Sequence, residues 1–128
     1  MKLSKSELRS LFSKAEAAGK AAGAAAVPTP MVVGTAIGFS NEIDRSKPTY
    51  FVPDGPCGFA WINIKPGNSA AARYAKEKYG ARKDYYGGVS IWVHEYNQSM
   101  ARKEAHAEAF AEVLREAGIK AYGRSRMD

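Results

Sequence analysis

A chain of 128 residues suits a single domain that buries a real core without disulfides or a structural metal. Its one cysteine, Cys57, excludes an intrachain disulfide, and no apolar run approaches the roughly 18 residues needed to span a membrane. The 19 basic and 13 acidic residues leave a net charge of +6, which favours acidic partners such as nucleic acid, nucleotides or an acidic protein surface.

Along the chain, Ser4 and Glu7 have the spacing of a capping box, and Leu8, Leu11, Phe12 and Ala15 follow at helical intervals. A helix is predicted over 4–26, with Gly19 and Gly23 each weakening it by up to ~1 kcal/mol. Its alanine-rich end has little to bury and calls for a partner or a second copy. The start of the chain lacks the continuous apolar stretch of a signal peptide, so a reducing, cytoplasmic setting is expected. "MVVGTAIGF" (31–39) is β-like, and the proline- and glycine-bearing stretch 40–58 reads as a loop, with "TYFV" extended within it.

Regular signals begin at residue 59. "FAWINIK" (59–65) alternates as a strand. "PGNS" breaks the chain and offers Asn68 or Ser69 as a helix cap, and "AAARYAKEKYG" (70–80) is a helix closed by Gly80. "ARKDYY", Gly87-Gly88 and "VSIWVHEY" read as a hairpin around a two-residue glycine turn. Ser99 caps a helix over 99–118 with Ala107, Phe110, Leu114 and Ala117 on one face, and "IKAYGR" (119–124) is a final strand. On the polar face of that helix, Glu112 and Arg115 can pair and His106 stands alone.

The predicted fold class is therefore α+β. Residues 59–124 read as β-α-β-β-α-β, the split arrangement of ferredoxin-like folds, preceded by an amphipathic helix and a short β segment. By domain, this is an Ala-rich helix at 1–28 and one α+β domain at 29–128. Two helices would cover the sheet face bearing Ala60, Ile62, Ile64, Val89, Ile91 and Val93. The opposite face then carries Phe59, Trp61 and Asn63 with Ser90, Trp92, His94 and Tyr96, joined by Tyr85 or Tyr86.

Aromatic residues on a bare sheet face suit stacking with single-stranded bases, at ~1–3 kcal/mol per base. The candidate stacking residues are Trp61, Trp92, His94 and Tyr96, and the candidate phosphate contacts are Arg73, Lys76, Arg82, Lys83 and Arg124. "YYGGVSIWV" departs from the signature of the RNA-recognition module that shares this topology. An ordinary competing expectation is that residues 1–58, or a second copy in a homo-oligomer, cover the face. Gly67, Asn68 and Ser69 form a candidate anion site at a helix start, without the Walker or dinucleotide glycine patterns. His94, His106 and Cys57 do not make a metal-ligand set, no motif pairs a nucleophile with a base, and no cofactor is expected.

The runs "GPCGFAWINIKPGNS" and "YYGGVSIWVHEYNQSMARKEAHAEAFAEVLREAGIKAYGRSRMD" resemble small proteins encoded by tailed bacteriophages, a group without an assigned function. The resemblance covers residues 55–128, implies a phage context and a host bacterial cytoplasm, and transfers no site residue. Binding of single-stranded nucleic acid by a non-enzymatic protein is the leading expectation. The rivals are a host-directed protein inhibitor, docked through the Ala-rich helix or the aromatic face, and capture of a small nucleotide.

Overall fold

The computed structural model describes residues 3–28, 31–33, 46–47, 49–52 and 55–128. Helix α1 spans Lys5–Ala25 and starts on the predicted capping box. Ser4 Oγ accepts from Glu7 N at 3.1 Å, and Ser4 N donates to Glu7 Oε1 at 3.0 Å. Its buried stripe is Leu8, Phe12, Ala15, Gly19 and Gly23. Strands β1 (Met31–Val33) and β2 (Tyr50–Val52) pair antiparallel as a sheet of their own. The rest of the predicted β run to residue 39, and much of the predicted loop 40–58, lies outside the described residues.

The main sheet contains β3 (Gly58–Lys65), β4 (Arg82–Lys83), β5 (Val89–Trp92) and β6 (Lys120–Met127), in the order β4-β5-β3-β6 with every neighbouring pair antiparallel. Helix α2 (Ala70–Tyr79) is capped by Ser69, whose Oγ accepts from Ala72 N, and ends at Gly80 in the left-handed region (φ 65°). Helix α3 (Met100–Glu116) is capped by Ser99. The described architecture is thus α+β, three helices and a four-stranded antiparallel sheet with α1 first.

Three predicted boundaries need correction. Of "ARKDYY", only Arg82 and Lys83 are strand, because Asp84 starts a five-residue loop to Gly88. Its carboxylate accepts from Tyr86 N at 2.8 Å while Asp84 N donates to Gly88 O, so the turn is wider than a Gly-Gly pair. Strand β5 stops at Trp92, and Tyr96 and Asn97 take positive φ (70° and 53°) that no strand accommodates. The last strand, by contrast, runs on to Met127 and pairs with the whole of β3.

One hydrophobic core runs from Leu8, Phe12 and Ala15 through Tyr74, Phe110 and Leu114 to Ile62, Ile64 and Val89 of the sheet. Phe12 is fully buried, with its ring centroid 4.9 Å from Tyr74, 5.5 Å from Tyr79 and 5.9 Å from Phe110. Helix α1 lies against α3 and α2 rather than on the sheet. It runs antiparallel to α3: Arg102 Nη1 donates to Gly23 O (3.2 Å) and Ala24 O (3.3 Å), while Gly19 abuts His106 and Phe12 meets Phe110. The partner the Ala-rich helix needed is therefore α3. The two glycines make room for what packs on α1: a Cβ on Gly19 would stand 2.9 Å from the His106 ring of α3, and one on Gly23 would stand 2.2 Å from Tyr96 Oη.

That packing also corrects the reading of His106, which is buried under α1 instead of standing on a polar face. Its Nδ1 meets Tyr96 Oη at 2.9 Å and lies 3.7 Å from Glu95 Oε2. Burial pushes the imidazole pKa down, partly opposed by Glu95 and Glu16. The nearby Tyr79 hydroxyl, which donates to Glu16 Oε2 at 3.1 Å, is pushed up to about 12, chiefly by burial and then by the Glu16 charge. Arg115 pairs with Glu108, not with Glu112.

Candidate nucleic-acid interface

Residues directly opposite one another on neighbouring strands share a sheet face. The register sets Trp61 against Trp92 and Asn63 against Ser90 across β3–β5. Across β3–β6 it sets Phe59 against Arg126, Trp61 against Arg124 and Asn63 against Tyr122. One face of the sheet therefore gathers three aromatic strand residues of β3 and β5, a tyrosine and two arginines. Among the described residues, α3 packs on the opposite face, against Gly123 and Ser125, and reaches this one at Lys103, whose Nζ lies 5.8 Å from the Phe59 ring centroid.

The two indoles stand side by side, with centroids 4.8 Å apart and planes inclined by 31°, and Phe59 meets Trp92 edge-on at 6.1 Å. Their exposures differ. Trp61 is 7% exposed and Trp92 is 37% exposed, so Trp92 is the indole that solvent reaches and Trp61 is the buried one. Tyr86 and Tyr122 add further accessible rings at 58% and 40% exposure, and Tyr85, at the tip of the β4–β5 loop, is 94% exposed. These groups line or flank a cleft of about 710 Å³ whose walls include Lys83, Asp84, Tyr86, Trp92, Arg124 and Arg126.

A buried polar network fixes the floor. Asp84 Oδ2 accepts from Trp61 Nε1 at 3.0 Å and from Asn63 Nδ2 at 3.1 Å, while Oδ1 accepts from Tyr86 N. Asn63 Nδ2 also donates to Gly87 O (2.8 Å) and Val89 O (3.3 Å), which ties the loop down onto β3. Asn63 Oδ1 in turn accepts from Arg124 Nε at 3.4 Å. One carboxylate thus orients the lower indole, the loop carrying Tyr85 and Tyr86, and, through Asn63, an arginine.

The cations on this face are held by rings, not by acids. The Arg124 guanidinium carbon lies 5.4 Å from the Tyr86 centroid and 5.8 Å from that of Tyr122, and Arg126 lies 5.3 Å from Phe59. Among the described residues, neither arginine nor Lys83 has a carboxylate at ion-pair distance.

Of the residues proposed from sequence, Trp61, Trp92, Lys83 and Arg124 are brought together here. His94 is exposed beyond the end of β5 and does not line the cleft. Tyr96 is turned to the helices, between Gly23 and His106, because the left-handed backbone at this position breaks the strand alternation. Arg73 and Lys76 are exposed on α2, on the helical side of the sheet. Arg82 is opposite Ser90 but does not line the cleft.

Gly67, Asn68 and Ser69 precede α2, where Ser69 Oγ donates to Pro66 O at 2.7 Å and caps the helix, and Lys76 Nζ reaches Gly67 O at 3.5 Å. A smaller hollow of about 390 Å³ beside them is lined by Lys65, Asn68, Ser69, Arg73 and Lys120. The Lys65–Pro66 peptide is cis. Cys57 is an exposed free thiol, and among the described residues no group of three or more His, Cys, Asp or Glu side chains could hold a metal ion.

Sequence reasoning placed Asn63 on this face without a role, left Arg126 out of the proposed phosphate contacts, and missed Asp84 and Tyr122. Tyr122 and Arg126 share the alternation of Arg124 along "KAYGRSRM" and were readable from it. Asp84, set in "ARKDYYGG", carried no signal that separates a buried hub from a loop acid. Compared with protein-family models, curated proteins and solved structures, the chain matches none.

Proposed function

We propose that this chain is a non-enzymatic, phage-type protein whose ferredoxin-like domain binds single-stranded nucleic acid in the cleft on the open sheet face. The strand order β4-β5-β3-β6, antiparallel throughout, supports the ferredoxin-like assignment. The phage context rests on the resemblance of residues 55–128.

One observation carries the binding reading: accessible Trp92, Tyr86 and Tyr122 surround arginines that, among the described residues, have no acidic partner. Bases stack on such rings without sequence preference while cations follow the phosphates. The test is the anisotropy of a labelled single-stranded oligonucleotide titrated with protein over a range of salt. Affinity should fall steeply with salt, and Trp92→Ala should weaken it roughly 5- to 140-fold, the equivalent of ~1–3 kcal/mol for one stacked base. Binding that is flat with salt, or unchanged in Trp92→Ala, contradicts the reading.

A second reading, docking on a host protein, is favoured by Tyr85, whose ring is almost wholly exposed at a loop tip. A complex pulled from bacterial lysate that survives nuclease and is lost in Tyr85→Ala favours it over the first.

A further inference from the structure

The cleft is electrically lopsided. Arg124 and Arg126 stand on β6, two residues apart and on one face, a separation of about 6.6 Å at the usual strand rise. The backbone bonds between successive phosphates of a stretched single strand span a comparable distance. Both guanidiniums lean over β3, Arg126 above Phe59 and Arg124 against Asn63. The Arg124 bond to Asn63 uses Nε, which leaves its two terminal nitrogens for a planar, paired contact with an anion. At the opposite wall Lys83 stands beside the buried Asp84 carboxylate, whose oxygens already accept from Trp61, Asn63 and Tyr86. That wall therefore carries no net charge against the two arginines of β6.

Resting on the single-strand reading, we propose that the sugar–phosphate backbone runs along β6, with successive phosphates on Arg124 and Arg126. The bases turn across the sheet over Trp92 toward the Tyr85–Tyr86 loop. Two phosphates then define the smallest ligand that fills the site, a dinucleotide carrying a 5′-phosphate.

The experiment measures binding of a short single-stranded oligonucleotide by the full chain as a function of salt. The variants are Arg126→Ala, Arg124→Gln and, as a control on α2, Arg73→Ala. Each β6 variant should lower the slope of log affinity against log salt by about 0.7, the share of one single-strand phosphate, while Arg73→Ala leaves it unchanged. Arg126 is exposed, so its variant remains interpretable even if Arg124→Gln disturbs the floor. In parallel, the 5′-phosphorylated dinucleotide should bind more tightly than the same dinucleotide without that phosphate.

Salt- and Trp92-dependent binding whose slope is the same in both β6 variants overturns this placement of the backbone and leaves the single-strand reading standing. Absence of any binding by the parent protein overturns both.

Discussion

Replacing Asp84 tests the polar floor of the cleft. The side chain is 5% exposed and serves three donors: Trp61 Nε1, Asn63 Nδ2 and Tyr86 N. Asparagine brings one oxygen and one NH₂. If the oxygen faces Trp61 and Asn63, the NH₂ points at the Tyr86 N–H. If the amide is turned, the NH₂ meets the indole N–H. Asn63 keeps Gly87 O and Val89 O in either case, so its loss is small.

Each orientation thus strands at least one donor, at ~1–3 kcal/mol for a buried group left unpaired. Asp84→Ala strands both ends and should cost ~2–6 kcal/mol on the same basis. Urea denaturation followed by tryptophan fluorescence reads these values as shifts in midpoint at constant slope. In thermal melts the Tm should fall by roughly 3–5 °C per kcal/mol for a chain of this length. If both variants stay within ~0.5 kcal/mol of the parent, the network does not hold the cleft as described.

Other perturbations address the helical side. Phe12→Ala removes a fully buried ring that touches three others and should cost ~3–5 kcal/mol in the same denaturation assay; a loss below ~1 kcal/mol would contradict a shared core. Gly23→Ala should destabilise although alanine favours helix by ~1 kcal/mol, because the new Cβ drives into the Tyr96 ring and overpacking costs ~1–3 kcal/mol. A more stable Gly23→Ala variant would mean that α1 and Tyr96 do not meet. The lowered pKa of His106 means that the unfolded chain binds more protons between the folded value and the ordinary 6.5. Stability therefore rises with pH through that window and is lost as pH falls below 6.5, so melting curves from neutral to mildly acidic pH should show a slope that His106→Gln flattens.

Much of the fold was legible because its signals are local. Ser4, Ser69, Ser99 and Gly80 mark helix ends by hydrogen bonds within a turn, and the alternation of "FAWINIK" and "VSIW" was enough to set Trp61 beside Trp92. What failed was decided by contacts between distant residues. Gly19 and Gly23 read as weak points of a helix, yet Gly19 is where the His106 ring of α3 packs closely and Gly23 is where Tyr96 does. Tyr96 continued an alternating pattern, but positive φ and the His106 ring take it to the other side of the sheet. The site was half legible. Its rings follow from alternation, whereas the depth of Trp61 depends on Trp92 above it and Asp84 beside it, a loop residue 23 positions away.

With only two tryptophans, the amide spectrum of the ¹⁵N-labelled protein carries two indole N–H signals, which report on the cleft directly. On adding a single-stranded oligonucleotide, the Trp92 indole and the amides of Tyr86, Tyr122, Arg124 and Arg126 should shift together, while those of α2 stay in place. Shifts concentrated in α2 and around Ser69, with the Trp92 signal unmoved, would contradict binding on the open sheet face.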